Sequence, residues 1–428
     1  MPEQLTGQLR DARERTLCLM QGLDAQQMMG PRLAIVNPLR WEIGHTAYFY
    51  EYWVLRQHLG EQAVFAGVDE LYDSISIAHD DRWDLPLPDL DDTLDYMQAV
   101  QTRVARHLQQ DGPDARRDYL VQYAVFHEDM HTEAFTYTRQ TLGYPAPAIG
   151  HADNSEAVTD DLFNDVPIPG GTFVLGADRQ DGFVFDNEKW GQAHRVTPFR
   201  IARTAVTQGE FAGFVDGGGY RAREYWSDEG WEWLQAEGLD QPVYWRRTDD
   251  GWQRRHFDRW LPLQSRAAMI HVSWYEAQAY CRWAGRRLPS DLEWEVAAAG
   301  QPSSDGQALG PSKRRYPWGE DEPTAKRANL DGYALGTIDV TSLPAGDSAF
   351  GCRQMIGNVW EWTDTEFGPY AGFEPDMYAD YSQPLFGNTR VLRGGGWATR
   401  GRLIRNTWRN YYGPGRNDVF AGFRTCAI

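Results

Sequence analysis

Cysteine is scarce in this chain of 428 residues: there are four, at Cys18, Cys281, Cys352 and Cys426, with no C-x-x-C spacing among them. That excludes a disulfide framework and a cysteine-built zinc site. It suits small buried hydrophobes in a reducing compartment, so a cytoplasmic location is expected. Basic charge is also in deficit, 42 lysines and arginines against 61 acidic residues, for a net charge of -19. Such a chain repels phosphate backbones and anionic lipids, which argues against nucleic acid and membrane surfaces as partners. No apolar run approaches the roughly 20 residues needed to span a bilayer. The start, Met1-Pro2-Glu3-Gln4-Leu5, lacks the basic-then-apolar order of a signal peptide. Internal repeats and low-complexity tracts are missing too. What is plentiful is packing material, with 42% hydrophobic and 13% aromatic residues, and the length exceeds one ordinary core. Two domains are expected.

The first 145 or so residues read as four helices. The opening one puts Leu5, Leu9, Ala12, Thr16 and Met20 on one face and fades at Gly30-Pro31. The second starts with Asn37 as cap and Pro38 in the first helical position, then runs from Trp41 to His58 before Gly60. A third begins near Asp91-Asp92-Thr93 and breaks at Gly112-Pro113. The fourth ends at Gly143-Tyr144-Pro145. Helices of this length argue for a bundle able to host a metal between facing helices. The expected organisation is a bundle over 1–150, a linker over 151–165 and a second domain over 166–428. From Val166 onward the chain is rich in Trp, Tyr, Gly and Pro, with short extended runs and brief helical stretches at Trp274–Trp283 and Glu293–Ala299. That pattern reads as a loop-rich α+β domain.

His127 and His131 stand four apart on the fourth helix, on a stripe with Leu120, Ala124, Ala134 and Thr138. Residues at i and i+4 share a helix face, so two imidazoles can converge on one ion. A polar patch satisfied by hydrogen bonds is the competing explanation for such a pair. A third histidine shifts the balance, and His45 in the second turn of an aromatic-rich helix is the preferred one. His58, His79, His107, His151, His194, His256 and His271 are the others in the chain. Three neutral imidazoles hold a borderline metal and leave positions open for chemistry, although spacing alone does not choose iron over zinc. A two-histidine, one-carboxylate site using Glu128, Asp129 or Glu133 is also possible. Glu128 and Asp129 point about 100 and 200 degrees away from His127 at 3.6 residues per turn, which favours surface or supporting roles for them, with Glu133 as an orienting carboxylate.

Seven ordered motifs mark the second domain: Gly170–Gly176, Val206–Phe211, Arg287–Glu295, Tyr316–Gly319, Gly357–Trp362, Arg393–Trp397 and Ala421–Arg424. Over them this half resembles the formylglycine-generating-enzyme/sulfatase-modifying family, a variant of the C-type lectin fold. That family's catalytic cysteine pair has no counterpart near the C-terminus, where Trp408-Arg409-Asn410-Tyr411-Tyr412 stands, so sulfatase activation is disfavoured. The first domain resembles the DinB-like four-helix bundle, whose ligand positions fall on His45, His127 and His131, followed by Glu133. In this order the two domains look like the nonheme iron sulfoxide synthases of ergothioneine and ovothiol biosynthesis and their selenium relative, selenoneine synthase. The resemblance covers nearly the whole chain. It implies Fe(II) on the three histidines, O2 as co-substrate, and hercynine (trimethylhistidine) as the substrate whose imidazole carbon gains a C–S or C–Se bond.

The resemblance also implies substrate-binding positions. Asn410 and Tyr411 match residues that contact hercynine, and Trp408 adds an aromatic wall. Arg82 and Arg416 correspond to arginines that hold the donor's carboxylates. An acidic residue that binds the donor's amino group in relatives using γ-glutamylcysteine is replaced here by Tyr412, which points to a donor without an amino acid head, such as a selenosugar. The catalytic tyrosine of some members corresponds to Tyr378 or Tyr370. Two other readings stay open: a zinc-dependent thiol transferase, and a noncatalytic sugar-binding protein.

Overall fold

The computed structural model describes residues 2–150 and 162–428, so the expected 151–165 linker falls mostly outside the described residues. The chain separates into two compact units, Met1–Ile149 and Gly150–Ile428.

In the first unit, α1 (Pro2–Met20) is followed by a separate short α2 (Ala25–Met29). The fading expected at Gly30-Pro31 is therefore a break and a restart, set by the reciprocal cap between Asp24 and Gln27. Next come α3 (Leu39–Tyr50), α4 (Val68–Tyr72), α5 (Leu90–Gln110) and α6 (Ala115–Leu142). The second helix differs from expectation at both ends. Pro38 takes the cap position with no side-chain cap, because the Asn37 amide oxygen accepts from Arg82 instead. Beyond Tyr50 the backbone widens into a π-helical turn, Glu51–Arg56. Inside that turn Glu51 accepts from the Tyr96 hydroxyl at 2.5 Å and from the Val64 amide at 2.6 Å. The α5 start lies slightly before the expected one, with Asp89 capping the Asp92 amide.

Helix α6 packs on both α1 and α3, so most of its circumference is covered. Glu128 and Asp129, expected at the surface or in supporting roles, are fully buried for this reason, which removes the surface alternative. Glu128 is satisfied by Arg13 Nε and Thr16 Oγ1, both at 2.9 Å, which ties α6 to α1.

The second unit mixes short strands and helices. Its elements are β1 (Asp165–Ile168), β2 (Gly171–Leu175), β3 (Gln192–Val196), β4 (Phe199–Ala202), α7 (Gln208–Asp216), α8 (Asp228–Glu237), β5 (Trp245–Thr248), β6 (Gly251–His256) and β7 (Arg259–Pro262). There follow α9 (Trp274–Trp283), α10 (Asp291–Ala299), β8 (Gly300–Pro302), β9 (Leu309–Lys313), β10 (Trp360–Glu366), β11 (Arg390–Arg393), β12 (Arg409–Tyr412) and β13 (Ala421–Gly422). A four-stranded sheet in the order β12-β11-β10-β13 is the largest, and β5-β6-β7 form an antiparallel meander. Helices α7, α9 and α10 begin at capping boxes, Thr207/Glu210, Ser273/Glu276 and Ser290/Glu293, and α8 at a simple cap in which Ser227 accepts from the Gly230 amide.

The core of this unit gathers Phe173, Phe199, Ile201, Trp294, Met355 and the alanines of α10. Cys281, Cys352 and Cys426 are buried in it as free thiols, whereas Cys18 in α1 is only half-buried. Burial pushes the Cys352 thiol up to about 11 and the Cys426 thiol to about 12. No described helix is long and apolar enough to cross a membrane.

Candidate active site

Helices α3 and α6 bring His45, His127 and His131 together, with one ring nitrogen from each inside a 4.8 Å group. No carboxylate joins that group among the described residues. His127 and His131 follow from the i, i+4 spacing, and their Nε2 atoms are 3.3 Å apart. His45 reaches them from α3, its ring centroid 5.1 Å from each of the other two.

The far side of the rings is anchored. His45 Nδ1 donates to the Tyr72 carbonyl at 2.8 Å, which fixes its tautomer and leaves Nε2 as the lone-pair nitrogen. His131 Nδ1 lies 2.7 Å from Glu42 Oε1. His127 is clamped by its face, stacked on Phe49 at 3.9 Å, and His45 lies flat on Trp41 at 4.8 Å. Anchored Nδ1 atoms with converging Nε2 atoms are the arrangement of a metal centre and its supporting shell, so the residues fit a three-imidazole-bound divalent ion. Burial keeps the rings uncharged. It lowers His45 to about 3 and His131 to about 4, with smaller contributions from His131 and Arg82 respectively, and takes His127 well below the ordinary range. Glu42 is pushed up to about 8 by burial while Arg82 pulls it down, and a cation among the imidazoles would draw it further toward the carboxylate.

Two backbone details make this possible. Gly44, next to His45, is the point where α4 meets α3: a Cβ there would come within 2.2 Å of the Tyr72 ring. Only glycine lets Tyr72 approach closely enough to offer its carbonyl to His45. Arg82, on the turn His79–Trp83, then covers the outer face of Trp41 with its guanidinium 4.0 Å from the ring. Arg82, Trp41 and His45 thus form a stack that ends at the metal site, and Arg82 also donates to Asn37 at 2.7 Å.

In the second unit, β12 and the preceding Trp408 line up as follows. Trp408 is buried, 5.1 Å from Trp360, and its indole donates to the Tyr381 hydroxyl at 3.3 Å. Tyr411 stacks on Phe367 at 4.2 Å, and its hydroxyl donates to the Tyr381 carbonyl. The half-buried Asn410 accepts from the Tyr411 amide at 2.8 Å. Tyr412 carries the Arg416 guanidinium over its ring at 5.2 Å, and Arg416 is itself paired with Asp418 through two contacts of 2.6 and 2.7 Å. Tyr378 immediately precedes the turn Ala379–Tyr381 and acts on the Tyr411 hydroxyl, whose pKa burial, Tyr381, Asp186 and Tyr378 all raise. Tyr370 stands in a different setting. Its hydroxyl donates to Asp291 at 2.8 Å and its ring lies under Arg409 at 4.2 Å, inside a buried charge network.

Three contributors escape a reading of the chain alone: Glu42, Tyr72 and Tyr381. Glu42 carried a usable signal, lying three residues before His45 and so on nearly the same helix face. Tyr72 offers a backbone carbonyl, which no side-chain pattern announces.

Comparison with known proteins agrees with this architecture. Residues 8–135 match the DinB superfamily, and residues 151–427 match the sulfatase-modifying factor enzyme 1-like domain. The chain is 37% identical to the hercynine oxygenase of Mycobacterium tuberculosis over 99% of its own length and 98% of the relative's. It is 35% identical to that of Mycolicibacterium smegmatis, with the same shares covered. The formylglycine-generating enzyme of Thermomonospora curvata is 31% identical over 61% of this chain and 92% of its own. Among solved structures, PvdO from Pseudomonas aeruginosa aligns with 64% of this chain and 99% of its own at 24% identity and a TM-score of 0.42. With the full length matched and both domains present in the same order, the chain belongs to the hercynine oxygenase family.

Proposed function

We propose that this chain is a cytoplasmic nonheme iron oxidoreductase that uses O2 to join hercynine to a selenium donor, a selenosugar, through a new C–Se bond on the imidazole. The observation that carries the reading is the converging trio His45, His127 and His131, neutral, with His45 and His131 anchored from behind and His127 stacked on Phe49, in a chain similar to hercynine oxygenases along its length. Fe(II) held by His45, His127 and His131 would supply the site of oxygen activation, with the net electrons for O2 drawn from the hercynine C–H and the chalcogen donor that are joined.

The chain's own residues do the rest. Glu42 holds the Nδ1 proton of His131 and so keeps that ring's lone pair on Nε2, and the Tyr72 carbonyl does the same for His45. Trp408, Tyr411 and Tyr412 are aromatic groups suited to a trimethylammonium, and Asn410 is an amide suited to the carboxylate of the same substrate. Tyr378, whose charge acts on the Tyr411 hydroxyl, is the proposed catalytic tyrosine, and Tyr370, hydrogen-bonded to Asp291, is the alternative. Arg82, whose charge acts on both His45 and His131, is the cation proposed to meet an electron-rich donor.

The choice of a sugar donor is supported at Arg416. Its guanidinium already grips Asp418 at two points, so a donor bearing its own carboxylate would have to displace that partner. A polyhydroxylated donor meets no such competition, and Tyr412 presents no negative charge to an amino group. Arg82 favours the second reading, an ergothioneine-type sulfoxide synthase joining hercynine to a cysteine-derived thiol, because a partly exposed cation suits a carboxylate.

The test is aerobic turnover of the Fe(II)-loaded protein with hercynine and, in parallel, a selenosugar, a thiosugar, γ-glutamylcysteine and cysteine, read by mass spectrometry. A selenium-bearing hercynine product from the selenosugar alone is expected. A sulfoxide from either cysteine-derived thiol would replace the donor assignment and keep the substrate. No product with any donor would remove both and leave the transferase and sugar-binding readings.

A further inference from the structure

The buried arginines of the second unit have carboxylate partners: Arg353 with Asp347, Arg393 with Glu295, Arg405 with Glu188 and Arg424 with Glu361. Arg254 on β6, half-buried with its Nε out of solvent, does not. Its Nη2 donates to Gln264 Oε1 at 3.0 Å and its Nη1 lies 3.5 Å from His256 Nδ1, while its buried Nε has no acceptor and no carboxylate lies within ion-pair distance among the described residues. Burial alone lowers Arg254 to about 10, and burial with Arg254 lowers His256 to about 4, so the ring stays neutral. In a chain with 61 acidic residues, a desolvated guanidinium without one is a stored electrostatic penalty that an incoming anion would relieve.

The surroundings are built to admit such an anion. Arg254 and His256 are two residues apart on a strand and so face the same way. They line a cavity of about 490 Å³ together with Gln264, Ser265 and Thr337, which add neutral hydrogen-bonding groups. Arg266 on the cavity wall is held by Asp339 at 2.7 Å and is not the group in need of charge. The stretch from Trp245 to Arg266 holds six arginines against three aspartates, a basic island in a chain of net charge -19.

We propose that this cavity is a binding site for a small-molecule oxyanion, a carboxylate or phosphate group of a metabolite, with the Arg254 fork as its charge partner and Gln264, Ser265 and Thr337 as its neutral contacts. It is built from residues other than the metal trio and the β12 segment, so it stands or falls independently of the reaction proposed above.

The experiment is titration of the full-length, iron-loaded protein with inorganic phosphate and, separately, with succinate, at constant ionic strength set by chloride, followed by calorimetry and by the thermal midpoint. Saturable binding of at least one of them is expected, raising the midpoint as occupancy grows. Arg254→Met is expected to weaken that affinity about tenfold or more, and Arg254→Lys, which keeps the charge and loses the fork, by a few-fold. Phosphate binding alone would assign the ligand to phosphate esters, and succinate binding alone to carboxylates. If neither anion binds above the chloride background, or if Arg254→Met binds as tightly as the unaltered protein, the proposal is wrong. Should Arg254→Met fail to fold, Arg254→Lys with Gln264→Leu decides the matter, since unchanged affinity in both would overturn it.

Discussion

Among the buried polar groups of the described residues, the arginine–carboxylate networks of the second unit and the histidine trio of the first are resolved in opposite ways. In the second unit the groups are charged and closed on one another: Arg393 between Asp291 and Glu295, Arg424 in the fork of Glu361, Arg405 with Glu188 and Thr407. In the helical unit they are neutral rings, anchored at the back and left with lone pairs converging at the front. Buried polarity that is consumed internally supports the architecture. Buried polarity whose acceptors are left facing one another asks for something from outside.

Removing one member from each constellation should therefore do different things. His127→Ala is expected to lose bound iron and lower turnover at least a thousandfold while circular dichroism shows an intact bundle; a fully active variant would end the metal assignment. Glu361→Leu strands Arg424 in the core and should cost about 3–5 kcal/mol in denaturant unfolding, with iron per folded molecule unchanged. Gly44→Ala blurs the contrast on purpose, because it forces Tyr72 away from α3. It should cost about 1–3 kcal/mol and also weaken metal binding, and a loss of stability with unaltered metal affinity would show that the Tyr72 carbonyl does not matter to His45.

Smaller effects sharpen the same distinction. Glu42→Leu should reduce metal affinity by about 10- to 100-fold, and Glu42→Gln by less, since the amide oxygen still accepts from His131 Nδ1; competition with a chelator measures both. The pH response follows from the depressed imidazoles. An ordinary histidine takes up a proton near 6.5, but His131 at about 4 and His45 at about 3 stay neutral in the fold, so these two rings should add little pH dependence to metal affinity between pH 7 and about pH 5, and the slope should come from the proton that a cation expels from Glu42. In the metal-free protein the unfolded chain binds those protons first. Its stability should accordingly fall as pH drops from about 6.5 toward 4, which urea unfolding at several pH values will show.

The legible part of the site was the part written in helical spacing. His127 and His131 share a face by their separation of four, and the composition break near Val166 separates a helical half from a mixed one. What could not be read was burial decided by neighbours distant in sequence. Glu128 and Asp129 look like outward residues on a wheel drawn for α6 alone, yet α1 covers that side and supplies Arg13 and Thr16 to Glu128. Asn37 looks like a helix cap until Arg82, 45 residues on, claims its oxygen. Arg416 looks like a free cation until Asp418 is seen folded back onto it. For Glu128 and Asn37 a long-range partner overrode the local rule, whereas Arg416 is met by a neighbour only two residues away.

The connection between Gly60 and Asp89 passes for an ordinary surface excursion, the kind that lengthens and shortens freely among relatives. Here Asp69 holds Tyr48 and Arg56, Tyr72 fills the space against Gly44 and steadies His45, and Arg82 roofs Trp41. The excursion is a wall of the metal site, carried on the single short helix α4 and the helical turn His79–Trp83. Its length should therefore bear on metal binding as directly as the identity of a ligand, because an insertion there would withdraw the Tyr72 carbonyl from His45 and Arg82 from Trp41 together.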